Sequence, residues 1–300
     1  MSMQTQLTHP SLLNVSNITY SEPITGSIPS NGPSINFKRI NISIKNPDGS
    51  IGDLILPTSK VFSFGVSENK SPDSGKVNGW TLPLCLHNKN GPSDEEKEWV
   101  NAFNKIVDRT TQHIIENREE IDKFELEKSD LRNFNPLYYK KEKHTEGGKT
   151  VLRVVPGTGP TLYTKLIYSK KTESFVTKMY DNEDNQIDPL DMIGKYCYCQ
   201  GAVKIESIFI GNKISLQVKL YEAVVDPISN GSTGRLLARP AAKSMVIESN
   251  RNTTNTNSNT FNNLEEDNSS SDDGSIMSDD ELEMSPSPPK KKTVSTRKKK

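Results

Sequence analysis

The sequence predicts a mainly β protein with one inserted helix, an extended N-terminal arm and a disordered C-terminal tail. Three observations carry that reading. Apolar residues recur at every second position in several short runs between Ile35 and Val225. A single stretch, opening at Ser93, shows helical spacing behind a capping signal. After Asp226-Pro227 the composition collapses into Ser, Asn, Thr and charge. Only 32% of the 300 residues are hydrophobic, below the usual range, so much of the chain is not packed core. The expected organisation is an arm over 1–34, a β domain over 35–227 with its helix near 93–120, and a tail over 228–300.

The arm is turn-rich, with Pro10, Pro23, Gly26, Pro29, Gly32 and Pro33, and reads as extended rather than packed. INFKRINISIK then alternates. Ile40, Ile42 and Ile44 share one face, Arg39, Asn41, Ser43 and Lys45 the other, and a period of two is a strand. Asn46-Pro47-Asp48-Gly49 is a turn, because proline presets φ and glycine tolerates a positive one. Ile51–Leu56 returns as the second arm of a hairpin, and Val61–Val66 is a third short strand. Residues 67–79 read as loop, and Trp80–Leu86 as extended chain.

Ser93 followed three residues later by Glu96 is a capping box. Trp99, Phe103, Ile106, Thr110 and Ile114 then fall on one helical stripe. Residues 94–130 hold 12 acidic and 6 basic side chains, so this helix keeps a solvated acidic face away from any polyanion. It closes one end of a barrel or packs across a sheet. Further on, Thr150–Val155 reads as a strand with Leu152 and Val154 inward. Thr161–Ser169 is another, with Leu162, Leu166 and Tyr168 on one face and Tyr163 and Lys165 on the other. Ser174–Asp181, Gly194–Gly201, Val203–Ile210 and Ile214–Val225 complete the strands.

The stretch 134–171 is chemically distinct. It carries eight Lys or Arg against two Glu, interleaved with Phe134, Tyr138, Tyr139, Tyr163 and Tyr168. A single-stranded nucleic acid needs both kinds of group, cations for its phosphates and flat rings for its unstacked bases. A solvated hairpin with ordinary strand tyrosines is the competing reading. Cys197 and Cys199 form C-x-C, two residues apart on one strand face, and fit a buried pair of small hydrophobes better than metal ligands. That leaves Tyr196 and Tyr198 pointing the other way, beside Lys195.

No nucleophile elbow, Ser/His/Asp set, paired-carboxylate signature or calcium loop is visible, and the G-x-G in 156–160 lacks the rest of a phosphate-binding motif. An enzyme is therefore the lowest-ranked class, with no cofactor and no metal expected. Three cysteines give no disulfide framework and indicate a reducing, intracellular compartment. No apolar run approaches 18 residues and the N-terminus is not basic-then-apolar, so neither a membrane span nor a secretory signal is expected. Residues 264–283 hold nine Asp or Glu and no Lys or Arg, whereas 285–300 end in KKKTVSTRKKK. Neither can repay chain ordering. The acidic run reads either as a solubilising tail or as a competitor for a basic groove and a dock for replication proteins. The basic end reads as a nuclear address or a nonspecific nucleic-acid contact.

The order of features, with GKYCYCQGAVKIESIFIGNKISLQVKLYEAVV as its closing strands, resembles the single-stranded-DNA-binding proteins of large nucleo-cytoplasmic DNA viruses and phages. The resemblance covers roughly residues 35–226. It implies an OB-like β-barrel, sequence-tolerant binding of single-stranded DNA, a role in viral DNA replication, recombination or repair, and a host cytoplasmic or nuclear setting. One departure is the basic segment that follows the acidic run. On this reading the stacking residues are Tyr138, Tyr139, Tyr163, Tyr196 and Tyr198. The phosphate contacts are Lys140, Lys141, Lys143, Arg153 and Lys165. The rival is a non-enzymatic virion or assembly protein whose β domain binds protein. The oligomeric state is not encoded in any of these patterns.

Overall fold

The computed structural model describes residues 6–28, 34–71, 74–146 and 149–228. The linker, acidic segment and basic end expected from 229 onward lie outside the described residues.

Alternation builds most of the strands. Ile35–Lys45 and Ile51–Pro57 form the expected hairpin, and Ile40, Ile42 and Ile44 are all buried. Gly49 takes the turn's left-handed position at φ 81°, which glycine adopts at no steric cost. Five further strands close into a barrel. These are β1 (Val61–Ser63), β2 (Val77–Cys85), β3 (Thr161–Leu166), β4 (Cys197–Ile210) and β5 (Ile214–Pro227). Around the ring the order is β1, β2, β3, β5, β4 and back to β1. Every pairing is antiparallel except β3 with β5, where Lys165 lies opposite Lys219 and Leu166 opposite Leu220 in parallel register. A five-stranded Greek-key barrel of this kind is OB-like. Its interior is lined by Leu82, Leu84, Leu162, Cys197, Cys199, Val203 and Leu220, all fully buried.

The long strand β4 organises the closure. Its two halves were expected as separate strands, but they are continuous. Two register shifts against β5, with Tyr221 of β5 the extra residue opposite Ala202/Val203 and Glu206 the extra residue in β4 itself, bend the pair instead of ending it, since an extra residue raises local twist. Along one edge β4 pairs in turn with β1, with Ile51–Pro57 and with Ile35–Lys45. A β-carbon on Gly201, beside the first of these shifts, would stand 3.2 Å from the Leu220 side chain, so the close approach suits glycine.

The single α-helix among the described residues, α1 (Asp94–Glu116), lies between β2 and β3 in the chain. Its capping box is formed: Ser93 Oγ accepts from the Glu96 N–H, and the Glu96 carboxylate accepts from Ser93 and Asn88. The stripe Trp99, Phe103, Ile106, Thr110 and Ile114 is buried, and Trp99 stacks on Phe103 at 5.3 Å.

Four local expectations are corrected. The arm is extended but packed: Ile18–Tyr20 and Ile24–Ile28 both pair with Ile35–Lys45, and Tyr20 stacks on His113 of α1 at 3.8 Å. Residues 67–79 are not plain loop, because Ser67–Lys70 pairs with β2. The strands expected over 161–169 and 174–181 are each broken. Buried Thr177 holds both breaks, its hydroxyl accepting from the Ile167 N–H and donating to the Leu220 carbonyl. Finally, Leu152 and Val154 do not point into the core. They sit on a two-stranded hairpin, Lys141–Glu146 with Lys149–Val154, separate from the main sheet, and are 60% and 46% exposed.

Candidate nucleic-acid interface

Residues directly opposite one another in adjacent strands point to the same face. The barrel register therefore defines one lateral row. Tyr198 of β4 faces Phe62 of β1. Phe62 faces Cys85 of β2. Cys85 faces Thr161 of β3, and Thr161 faces Tyr138 of the short strand Leu137–Tyr138. Their chain neighbours Cys197, Val61, Ser63, Leu84 and Leu162 are buried inside, so the row is on the outer surface. Four steps at about 4.8 Å give a band roughly 19 Å wide.

Aromatic rings dominate both ends of this band. At one end Phe62, Phe64, Tyr196 and Tyr198 form an edge-to-face network with centroids 5.1 to 6.0 Å apart. At the other, Tyr138 meets Tyr163 edge-on at 6.3 Å. Tyr138, Tyr196, Phe64 and Tyr198 are 54%, 52%, 49% and 44% exposed. Large rings left this open on the barrel strands and just beyond their ends are available to stack on a planar guest. Burial pushes the Tyr163 phenol above its ordinary value, with Tyr138 and Cys85 adding to the shift. Lys165 lies two residues along β3 from Tyr163, its Nζ donating to Gln217 at 3.3 Å.

The remaining candidates lie elsewhere. Tyr139 has the opposite parity to Tyr138 and packs, partly buried, against the core. Lys140, Lys141, Lys143 and Arg153 belong to the projecting hairpin, closed at its base by the Val155 N–H to the Lys140 carbonyl at 2.9 Å. Lys141 and Lys143 face Val154 and Leu152, whereas Glu142 faces Arg153. One side of the hairpin thus combines lysine with apolar carbon, and the other mixes charges. Other cations near the barrel are matched locally, in the pairs Lys60–Asp226 at 2.6 Å, Lys204–Asp53 at 2.8 Å and Lys219–Glu206 at 2.8 Å.

The Cys199 thiol is raised by its hydrogen bond with Cys197 and by burial, and burial raises Cys85. Among the described residues no three His, Cys, Asp or Glu converge on a metal site, and no described helix is long and apolar enough to cross a membrane.

The sequence matches a protein family over residues 17–270. The chain belongs to DUF2738, described as a protein of unknown function. It is 24% identical over 184 residues to "Uncharacterized protein 007R" of Invertebrate iridescent virus 3, covering 60% of this chain and 37% of that protein. It is 28% identical over 171 residues to the "Early 31 kDa protein" of Frog virus 3, covering 56% of this chain and 62% of that one. The chain thus spans about a third to three-fifths of the length of these relatives. Both come from iridoviruses, which are large nucleo-cytoplasmic DNA viruses.

Sequence reasoning missed two residues of the DUF2738 barrel face, Phe62 and Phe64. Their signal was present in VFSFGV. Two phenylalanines alternate there with Val61 and Ser63, so both rings leave the core together. The lateral row itself carries no sequence signal, because its members come from five separate segments.

Proposed function

We propose that this protein binds single-stranded DNA without catalysis, laying the strand across the outer barrel face, and acts when viral DNA is replicated, recombined or repaired. The observation that carries the proposal is the lateral row from Tyr198 through Phe62 to Tyr138, with exposed rings at both ends. In OB barrels the β2–β3 face is the usual oligonucleotide platform, and Tyr163 and Lys165 of β3 lie on it. Base–aromatic stacking tolerates any sequence because every base has a π-face. The hairpin lysines supply the phosphate contacts. One relative's name marks it as an early protein, and a protein made early in infection is present when DNA is copied.

The test is a titration of single- against double-stranded DNA at two salt concentrations. Single strands bind tighter, and log affinity falls linearly with log salt at roughly 0.7 per phosphate contact. Equal affinity for both forms, or none for either, refutes the reading. Because exposed rings also suit a protein interface, the latter result favours a virion or assembly protein whose barrel binds protein.

A further inference from the structure

A second aromatic group lies apart from the lateral row. Trp80 has the inward parity of Leu82 and Leu84, yet it is only half-buried, in the first half of β2. Its ring meets Tyr168 at 4.9 Å and Phe175 at 5.0 Å, and these two meet each other at 5.1 Å. The three rings form a wall of a cleft of about 440 Å³. Its polar lining includes Ser174, Glu173, Gln186 and Asp188. One oxygen of Asp188 already accepts from the Leu190 N–H at 2.9 Å. Lys170 and Lys171 sit at the turn between Tyr168–Ser169 and Ser174–Phe175, beside the residues that line it.

The position of the cleft follows from the fold. β3 carries Thr161, Tyr163 and Lys165 outward, ends at Leu166, and after Ile167 the chain enters the cleft wall at Tyr168. Seven residues separate Thr161 of the row from Tyr168 of the cleft wall, at most about 23 Å of extended chain. That distance is within reach of a single strand bound on the row.

We propose that the cleft receives one unstacked base of that strand, and that it favours a base with an exocyclic amino group. This rests on the nucleic-acid reading above. A nucleotide has three parts, and the cleft has a counterpart for each. The ring wall meets the base plane. Gln186 and the acidic side chains accept from an amino group such as cytosine N4, for which thymine offers only a carbonyl acceptor and a methyl. Lys170 and Lys171 stand where a phosphate is drawn. A cationic guest fits less well. The rings touch one another and so make a wall, not a cage that surrounds an ammonium group, and two lysines at the turn oppose a positive charge.

The experiment compares oligo(dC) with oligo(dT) on the full chain. The sequence contains two tryptophans, and Trp99 is buried in the core, so Trp99→Phe leaves Trp80 as the sole fluorescent indole. Oligo(dC) is expected to bind roughly two- to tenfold tighter than oligo(dT), the range of one added hydrogen bond, and to quench Trp80. In the otherwise unchanged chain, Gln186→Ala, at an exposed site, is expected to bring the ratio close to one with little loss for oligo(dT). Tyr138→Ala lowers both affinities alike. Equal affinities for the two oligomers, a ratio unmoved by Gln186→Ala, or DNA binding that leaves Trp80 emission unchanged each overturn the cleft assignment while the outer-face reading stands. Saturable quenching of Trp80 by tetramethylammonium overturns it in favour of a cation site. Absence of binding to either oligomer overturns both readings together.

Discussion

The outer barrel face and the basic hairpin both expose apolar side chains, but in opposite mechanical settings. On the barrel Phe62 and Tyr198 are paired through their backbone to strands on both sides, Tyr138 is paired on one side to β3, and the buried neighbours of these three rings belong to the core. On the hairpin Lys141, Lys143, Leu152 and Val154 belong to a two-stranded sheet of its own, with no core beneath the apolar pair. The difference assigns the work. Stacking needs a surface held in place, because ordering a ring at the moment of binding costs entropy. Phosphate neutralisation is long-ranged and tolerates movement. The face should therefore set salt-independent affinity, and the hairpin the salt dependence.

The sharpest way to break this comparison is stability. Leu162→Ala in β3 should cost about 2–5 kcal/mol, since it opens a cavity in a fully buried site. Leu152→Ala on the hairpin, in the same sequence pattern, should stay within about 0.5 kcal/mol. Denaturant unfolding measures both, and a comparable cost for the two would mean that the hairpin packs on the barrel. Next comes stacking. Tyr138→Ala and Tyr198→Ala should each lose on the order of 1–3 kcal/mol of oligonucleotide affinity. The double variant should be additive, because four strand spacings separate them. Their slopes against log salt should match the parent, and an altered slope would show that these side chains act through charge.

Smaller effects sharpen the other half. Lys140, Lys141 and Lys143 changed together to Ala should flatten the salt slope by up to about 2, near 0.7 for each phosphate that a lysine neutralises, with the melting temperature unchanged. A parental slope would remove the hairpin from the DNA site. The least effect concerns pH. The Tyr163 hydroxyl titrates above its ordinary value of 10.0 because burial favours its neutral form. It remains uncharged from pH 7 to 9, and places no phenolate beside a phosphate. Affinity should be flat over that interval for the parent and for Tyr163→Phe alike. A drop confined to the parent would show that the phenol ionises in this range.

What the sequence determined by itself is the local physics. Ile40, Ile42 and Ile44 alternate with polar residues, and all three are buried. Ser93 and Glu96 announce the start of α1, because a capping box is satisfied within four residues. C-x-C places both thiols on one strand face and sends Tyr196 and Tyr198 to the other. What only the tertiary structure decided is which of two equal patterns meets a core, and which distant residues become neighbours. TVLRV and TLYTKL alternate alike, yet Leu162 is fully buried and Leu152 exposed, because only the second strand is flanked by β2 and β5. Tyr198, Phe62, Cys85, Thr161 and Tyr138 form one row through pairings that span more than 130 positions of the chain. Periodicity fixes the parity of a side chain within its own strand. Lateral register depends on barrel closure, which no single segment contains.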